Sequence, residues 1–305
     1  MSRPIARPIA QRTEPENTPT TARSGPVSTR KDCAARASEY ITAARVHHLA
    51  RELADRDWEL LGFVADCRLA TGKQLAMRFW LAQREHDPAG ARAARRALKR
   101  LRDWRVLDTL PGRARGGVRG GSATLIYRVG VAGAKLLALR GVHQRRLGTP
   151  GERLIDHTLA ATELAVQLHT AHARGELELI GIQHEPKSWR FFTGAMGARR
   201  LIRPDLFVRI GAGRHEDRWF VEIDRGSEHP GTIAAKAERY LAHLRSGAEQ
   251  HEHSVYPRVV WTVPEAHRAR QLGAVLDRQP DELQALFSIC LAEETVAFLA
   301  SEARS

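Results

Sequence analysis

The sequence is poor in cysteine and has no long apolar run. Its 305 residues include three cysteines, Cys33, Cys67 and Cys290, and none of them belongs to a CxxC pair. This set argues against the disulfide framework of a secreted protein and against a cysteine-ligated zinc site. No apolar run approaches the ~18–20 residues that a bilayer requires, and no apolar segment follows the first arginines as in a signal peptide. We therefore expect a cytoplasmic protein with no membrane partner.

Lysine is also scarce. Only six of the 48 basic residues are lysines, and 35 acidic residues leave a net charge of +13. The charge is uneven, because residues 1–45 carry +4, residues 46–150 carry +12 and residues 151–305 carry −3. A concentrated positive field attracts polyanions. The sequence therefore predicts a nucleic-acid partner for the first half, in a protein associated with the nucleoid or with a plasmid.

The first 150 residues divide into a tail and a helical region. Residues 1–45 are rich in Pro, Thr, Ser and Arg without periodicity, which predicts a disordered basic tail. In residues 46–150, two short helical patterns precede a basic helix and then a Gly/Arg-rich hairpin that ends in an alternating strand. This order predicts a winged helix-turn-helix that binds double-stranded DNA, with the third helix in the major groove.

Basic residues of the third helix and of the hairpin are the candidate DNA contacts. Guanidinium groups bind phosphates, and the glycines of the hairpin allow the backbone to approach closely. The alternative is a basic face that is only solvated. The candidates are Arg92, Arg95, Arg96, Lys99 and Arg100 on the helix, and Arg113, Arg115 and Arg119 in the hairpin.

Residues 151–264 follow a different pattern. An amphipathic helix leads into three strands, a second helix and a short apolar strand, in the order αβββαβ. Helical patterns at 265–278 and 291–302 predict a C-terminal helical extension over residues 265–305, to which no role is assigned. The complete chain is therefore expected to be α/β (α+β), with a winged helix-turn-helix in front of the αβββαβ region.

Three carboxylates are expected to converge on two of these strands. Strand alternation places Glu222 and Asp224 on one face, and pairing of Ile210 with Trp219 would bring Asp205 opposite Asp224. Clustered carboxylates repel one another unless a cation compensates them, and hard oxygen ligands suit Mg²⁺ or Mn²⁺. The sequence predicts a divalent-metal site at Asp205 and Glu222.

Two other features bear on this site. Lys236 lies at the edge of the apolar stripe of the following helix, where it can lean toward the carboxylates. A structural alternative is that Arg203 or Arg225, adjacent in sequence, forms salt bridges with the acidic groups.

The acidic residues carry a resemblance to a known superfamily. Pro204-Asp205, followed by Glu222-Ile-Asp224 within an αβββαβ order, resembles the core of the PD-(D/E)XK nucleases. The resemblance implies that Asp205 and Glu222 hold the metal. Asp224 stands where that superfamily usually has its catalytic lysine, so the resemblance makes Lys236 the substitute and Glu163 an accessory acid.

A narrower resemblance covers residues 46–263. The segments TGKQLAMRFW and YRVGVAGAKLLAL, and above all EIDRGSE followed by KAERY, resemble the replication-relaxation family of actinobacterial plasmids and mobile elements. This resemblance implies a DNA-related role in plasmid replication or mobilisation.

Three hypotheses follow for the function. The first is a DNA-binding protein whose second half nicks or cleaves DNA with Mg²⁺ or Mn²⁺. The second is a non-catalytic transcriptional or replication regulator whose second half forms a homodimer. The third is a helper that docks on a relaxase or a replication initiator protein.

Overall fold

The computed structural model describes residues 40–115, 124–143, 150–194 and 197–303. Most of the predicted tail, and Arg119, therefore lie outside the described residues. The first helix already begins at Ala43, within the segment predicted as tail, because the Thr42 side chain accepts a hydrogen bond from Arg45 N and caps it.

The front segment combines helices with a small sheet. Its strands form a three-stranded antiparallel sheet in the order β1-β3-β2. Its elements are α1 (Ala43–Glu52), α2 (Asp55–Cys67), β1 (Ala70–Thr71), α3 (Gly72–Ala76) with a π-helical turn (Met77–Leu81), α4 (Pro88–Asp103), β2 (Leu107–Arg115), β3 (Thr124–Val129) and α5 (Val131–Leu139).

Helix α4 is the predicted basic helix. Asp87 caps its first turn by accepting from Ala89 N, and Pro88 occupies the first position, where its missing N–H costs nothing. Ala94, Leu98 and Leu101 are buried at helical spacing, so the basic residues between them face outward.

The back segment is built on a mixed five-stranded sheet in the order β10-β9-β8-β7-β4. Strand β7 pairs antiparallel with both β4 and β8, whereas β9 pairs parallel with both β8 and β10. Its elements are α6 (Glu152–Ala173), β4 (Glu178–His184), β5 (Arg190–Thr193), β6 (Arg199–Ile202), β7 (Leu206–Ala212), β8 (His215–Ile223), α7 (Pro230–Ser246), α8 (Ala248–His253), β9 (Arg258–Val263), α9 (Ala266–Leu276), α10 (Asp281–Gln284), β10 (Phe287–Leu291) and α11 (Thr295–Glu302).

Two parts of the back segment differ from the expectation. The loop expected between β4 and β7 contains a separate hairpin of β5 and β6. The helices expected after residue 265 are present, but β10 lies between them and pairs in parallel with β9. The C-terminal residues therefore extend the main sheet rather than forming a purely helical appendage.

The β7–β8 hairpin is longer than predicted. Its strands continue to Ala212 and His215, and Gly213 adopts a φ of +62°, which suits a tight two-residue turn. Ile210 therefore pairs with Asp217, two residues before the predicted partner Trp219. A shift of two residues preserves the face of each side chain.

Both faces of the main sheet are covered. Helices α6 and α11 pack on one face, with Leu168, Trp219 and Leu299 in that core, and α7 and α9 pack on the other, around Trp261. Helix α6 also contacts the front segment, where Thr162 donates to Leu69 O at 2.8 Å. Residues Ile41–Ser305 form one compact unit, and the expected mixed α/β class is confirmed.

Candidate active site and nucleic-acid interface

Asp205 and Glu222 are neighbours in the structure. Asp205 lies just before β7; its backbone N–H donates to Val221 O at 3.0 Å, and its Oδ2 accepts from Ile223 N at 2.6 Å. Because the observed register is shifted by two residues, Asp205 lies beside Glu222 instead of opposite Asp224. Both carboxylates are buried, with 7% and 2% of their residue surfaces exposed.

Glu222 is held by two side chains of α7. Lys236 Nζ donates to its Oε2 at 2.9 Å, and the Tyr240 hydroxyl donates to its Oε1 at 2.7 Å. Burial raises the pKa of Glu222 to about 7, because the nearby charge of Lys236 offsets only part of the desolvation and Asp205 adds repulsion. Lys236 therefore occupies the predicted position beside the carboxylates.

Lys236 also donates to Glu228 Oε1 at 2.8 Å. Burial by itself would lower the pKa of this ammonium group, but Glu222, Asp205 and Glu228 together raise it above its ordinary value. The lysine is thus a fixed cation at the site.

Sequence reasoning missed His157. This residue of α6 donates from Nε2 to Asp205 Oδ1 at 2.9 Å, and that hydrogen bond raises the pKa of the imidazole. Glu185 adds a further negative charge nearby, and burial raises its own pKa. The apolar periodicity of α6 placed His157 on the packed side of the helix, but nothing local indicated that Asp205 would lie next to it.

The expectation that Asp224 joins the converging carboxylates is wrong. Arg268 of α9 donates to both of its oxygens, at 3.1 Å from Nε to Oδ1 and 2.7 Å from Nη2 to Oδ2. The Gly226 N–H also donates to Asp224 Oδ1, and Arg268 donates to Glu228 O at 2.7 Å. Asp224 and Arg268 thus anchor the turn that carries Glu228.

The adjacent arginines proposed as structural partners do not pair with these carboxylates. Arg225 donates to the backbone oxygen of Asp156 at 3.0 Å, whereas the Arg203 guanidinium lies 5.0 Å from the centroid of the Trp189 ring. Asp224 pairs instead with Arg268, which lies 44 residues further along the chain.

Glu163 is also not part of this cluster. Its Oε2 accepts from Gln74 Nε2 at 2.8 Å, at the contact between α6 and α3. The physical reason is helical phase: six residues after His157, a side chain lies about 240° further around the helix axis. Glu163 instead lines a cavity of about 390 Å³ with Lys73 and Arg174.

Asp205 and Glu222 carry the oxygen ligands that Mg²⁺ or Mn²⁺ prefers, and their four carboxylate oxygens accept hydrogen bonds from His157, Ile223 N, Lys236 and Tyr240. Among the residues that the structure describes, no group of three or more His, Cys, Asp or Glu side chains could hold a metal. Mg²⁺ is commonly held by only one or two carboxylates together with phosphate oxygens and waters. Asp205 repels the Glu222 carboxylate, and the Lys236 ammonium group offsets this repulsion.

The candidate DNA contacts on α4 differ in whether they already have a partner within the protein. Arg92, Arg95 and Arg96 are exposed and have no hydrogen bond or ion pair with any described residue. Lys99 forms an exposed ion pair with Asp103, with 2.6 Å between Nζ and Oδ2. Arg92, Arg95 and Arg96 are therefore free to bind an anion.

Arg100 belongs to the structure of the front segment. Its Nη2 donates to both oxygens of the buried Asp57, at 2.7 and 2.6 Å, and its guanidinium lies 5.2 Å from the centroid of the Trp104 ring. Unlike Arg92, Arg95 and Arg96, Arg100 therefore already has a carboxylate partner within the protein. Arg113 and Arg115 lie in strand β2 rather than in a loop, as the pairing of Arg115 with Thr124 indicates.

The comparison with known families decides the affiliation of the chain. A family model described as replication-relaxation matches residues 61–259, which is more than half of the sequence. The chain belongs to the replication-relaxation family. The match includes α4, Asp205, Glu222 and Lys236. No curated protein and no solved structure gives a significant match.

Membership of the replication-relaxation family indicates a role in plasmid or mobile-element replication or mobilisation. In the described part of this family member, none of the helices has both the length and the apolar character needed to cross a membrane.

Proposed function

We propose that this replication-relaxation protein binds double-stranded DNA through α4 as part of plasmid or mobile-element replication or mobilisation. The observation that carries the proposal is that Arg92, Arg95 and Arg96 are exposed and have no partner among the described residues. In the winged helix-turn-helix that we propose for this segment, α4 is the helix that enters the major groove and the β2–β3 hairpin contacts the backbone. Phosphate contacts by these arginines supply affinity, and base contacts supply any sequence preference.

Charge reversal on α4 tests this proposal. We expect Arg95→Glu combined with Arg96→Glu to weaken duplex binding by at least about tenfold and to reduce the slope of log K against log salt by about 2, because each phosphate contact contributes roughly 0.9. Fluorescence anisotropy with a labelled duplex at several salt concentrations measures both quantities. Arg270→Glu combined with Arg278→Glu makes the same change in net charge at exposed positions outside α4. Equal losses in the two double variants would reject α4 as the specific contact.

A second candidate function is metal-dependent nicking or cleavage of DNA. The convergence of Asp205, Glu222 and Lys236 on one site favours it. A divalent cation at this site would activate water and compensate charge on the scissile phosphate. In this proposal Asp205 and Glu222 hold the cation, while Lys236 positions the attacking water.

A supercoiled plasmid incubated with Mg²⁺ or Mn²⁺ tests this second candidate. We expect nicking by the unaltered protein, loss of nicking with a chelator, and loss of nicking in Glu222→Gln. Glu163→Gln is the matched control, because Glu163 lies outside the cluster and should retain activity. Equal nicking by Glu222→Gln and the unaltered protein would remove the site assignment. No nicking with either cation would favour the non-catalytic regulator, whether it acts as a homodimer or docks on a relaxase or an initiator protein.

A further inference from the structure

The β5–β6 hairpin carries only positive charge. Between Arg190 and Arg203 the sequence contains four arginines and no acidic residue. The pairs Phe191–Leu201 and Phe192–Arg200 set its register, so alternate residues face opposite sides. The hairpin is a separate two-stranded sheet beside the main one.

One face anchors the hairpin to the protein. Phe192 and Ile202 are buried in the core that includes Tyr240 of α7. Arg190 on the same face forms an ion pair with the buried Glu249, with 3.0 Å between Nε and Oε1. A two-stranded hairpin is marginal by itself, and these contacts hold it in place.

The opposite face presents an aromatic ring and a guanidinium group to solvent. Phe191 is 56% exposed, and the Arg199 guanidinium lies 4.4 Å from the centroid of its ring. Arg203, which follows β6, is exposed as well, whereas Arg200 pairs with Phe192 and therefore belongs to the anchored face. An isolated exposed aromatic residue is common, but one that is stacked by arginine on an anchored hairpin without acidic groups is a surface suited to unpaired bases and phosphates.

A rigid connection joins this face to the carboxylates. Asp205 follows Ile202 by three residues, so the two are at most about 11 Å apart along the chain. The buried Ser188 hydroxyl donates to Pro204 O at 2.6 Å and fixes the linking segment. Trp189 lies against Arg203 and donates from Nε1 to Glu185 Oε1 at 3.3 Å, at the edge of the site. A strand bound on the hairpin would therefore lead toward Asp205.

We propose that the outer face of the β5–β6 hairpin binds an unpaired DNA strand. A base stacks on Phe191, and Arg199 and Arg203 contact the flanking phosphates. This surface is separate from α4 and supplies a second contact, specific for single-stranded DNA. The inference rests on the proposed function only in that DNA is the partner.

Binding of a single-stranded oligonucleotide and of the matching duplex, each fluorescently labelled, tests the proposal by anisotropy. Because stacking of one base on an aromatic side chain contributes on the order of 1–3 kcal/mol, Phe191→Ala should weaken single-strand binding by about 5- to 150-fold. Arg199→Glu should weaken it as well and should reduce its salt dependence. Duplex binding should change by less than about twofold in Phe191→Ala, because paired bases cannot stack on the ring.

Controls separate this inference from the function of α4. Val255→Ala removes a similarly exposed apolar side chain and should leave both affinities unchanged. Arg95→Glu with Arg96→Glu should lower duplex affinity and retain most single-strand affinity. Single-strand binding by Phe191→Ala that equals that of the unaltered protein would overturn the proposal and leave the hairpin as a candidate protein contact. Equal losses of single-strand and duplex affinity in Phe191→Ala would also overturn it. If the unaltered protein binds the single strand but not the duplex, the proposed role of α4 is rejected and that of the hairpin is retained.

Discussion

At the scale of single residues, Lys236 illustrates why residue type matters at this site. It is one of six lysines in a chain with 42 arginines. Its ammonium group bonds Glu222 and Glu228 at the same time and lies 5.3 Å from the centroid of the Trp261 ring. A compact ammonium group has three donors that can point at separate carboxylates, whereas a planar guanidinium favours paired bonds to one. The site therefore suits lysine, and Arg268 suits the single carboxylate of Asp224.

The buried ion pair of Asp224 and Arg268 is expected to contribute to the stability of the protein. Arg268→Met leaves a carboxylate buried without its cation, so we expect the free energy of unfolding to fall by about 3–5 kcal/mol in urea denaturation. The matched control is Arg225→Met, because the Arg225 side chain is 46% exposed and its Nη2 lies 4.0 Å from Asp156 Oδ2, an ion pair that contributes less than about 1 kcal/mol. Similar losses in the two variants would contradict a structural role for the buried pair.

At the scale of elements, α4 and the β5–β6 hairpin share one design. Each has an apolar face that is buried and a basic face that remains exposed. In α4 the buried face consists of Ala94, Leu98 and Leu101, and in the hairpin it includes Phe192 and Ile202. Because packing fixes each backbone, the exposed arginines start from a defined position, which reduces the ordering that DNA binding requires. In both α4 and the hairpin, packing of the apolar face therefore determines where the positive charge lies, and the exposed arginines determine which ligand the surface binds.

At the scale of the whole molecule, the contact between the front and back segments contains a buried histidine. His184 at the end of β4 is 8% exposed, and its Nε2 lies 3.4 Å from Cys67 Sγ of α2. Burial lowers the pKa of His184 to about 4, and burial also raises the pKa of the Cys67 thiol. This contact therefore requires a neutral imidazole.

Acid should weaken this contact. Between pH 6.5 and about pH 4 the unfolded chain binds a proton at His184 that the folded chain does not, so stability falls as pH decreases. We expect His184 to account for a loss of about 2 kcal/mol in the free energy of unfolding from pH 7 to pH 5. Urea denaturation of the unaltered protein and of His184→Gln at both pH values measures the difference. An identical pH dependence in the two proteins would show that this histidine does not titrate as its burial requires.

Sequence patterns predicted much of this fold because local periodicity survives folding. The apolar spacing predicted a helix at α4 and another at α7, and both are present. Asp205, Glu222 and Lys236 were brought together as expected even though the β7–β8 register differs by two residues. The two-residue shift left each side chain on its predicted face, because strand faces alternate with a period of two.

The remaining site residues could not be assigned from local patterns. A helical phase does not reveal the neighbour on another element, so His157 was missed. Glu163, which the superfamily resemblance offered as an accessory acid, bonds Gln74 instead. Strand β10 was missed because a short apolar run between helical patterns does not by itself indicate a strand that pairs with β9.

The sequence by itself determined the uneven charge, the α/β class and the faces on which the candidate residues lie. Only the tertiary structure decided which charged groups are neutralised. Arg100 meets Asp57 over 43 positions and Arg268 meets Asp224 over 44, whereas Arg92, Arg95 and Arg96 remain unpaired among the described residues. The physical reason is that charge is a property of the residue, whereas burial and the distance to a counter-charge depend on contacts between segments that are far apart in the chain.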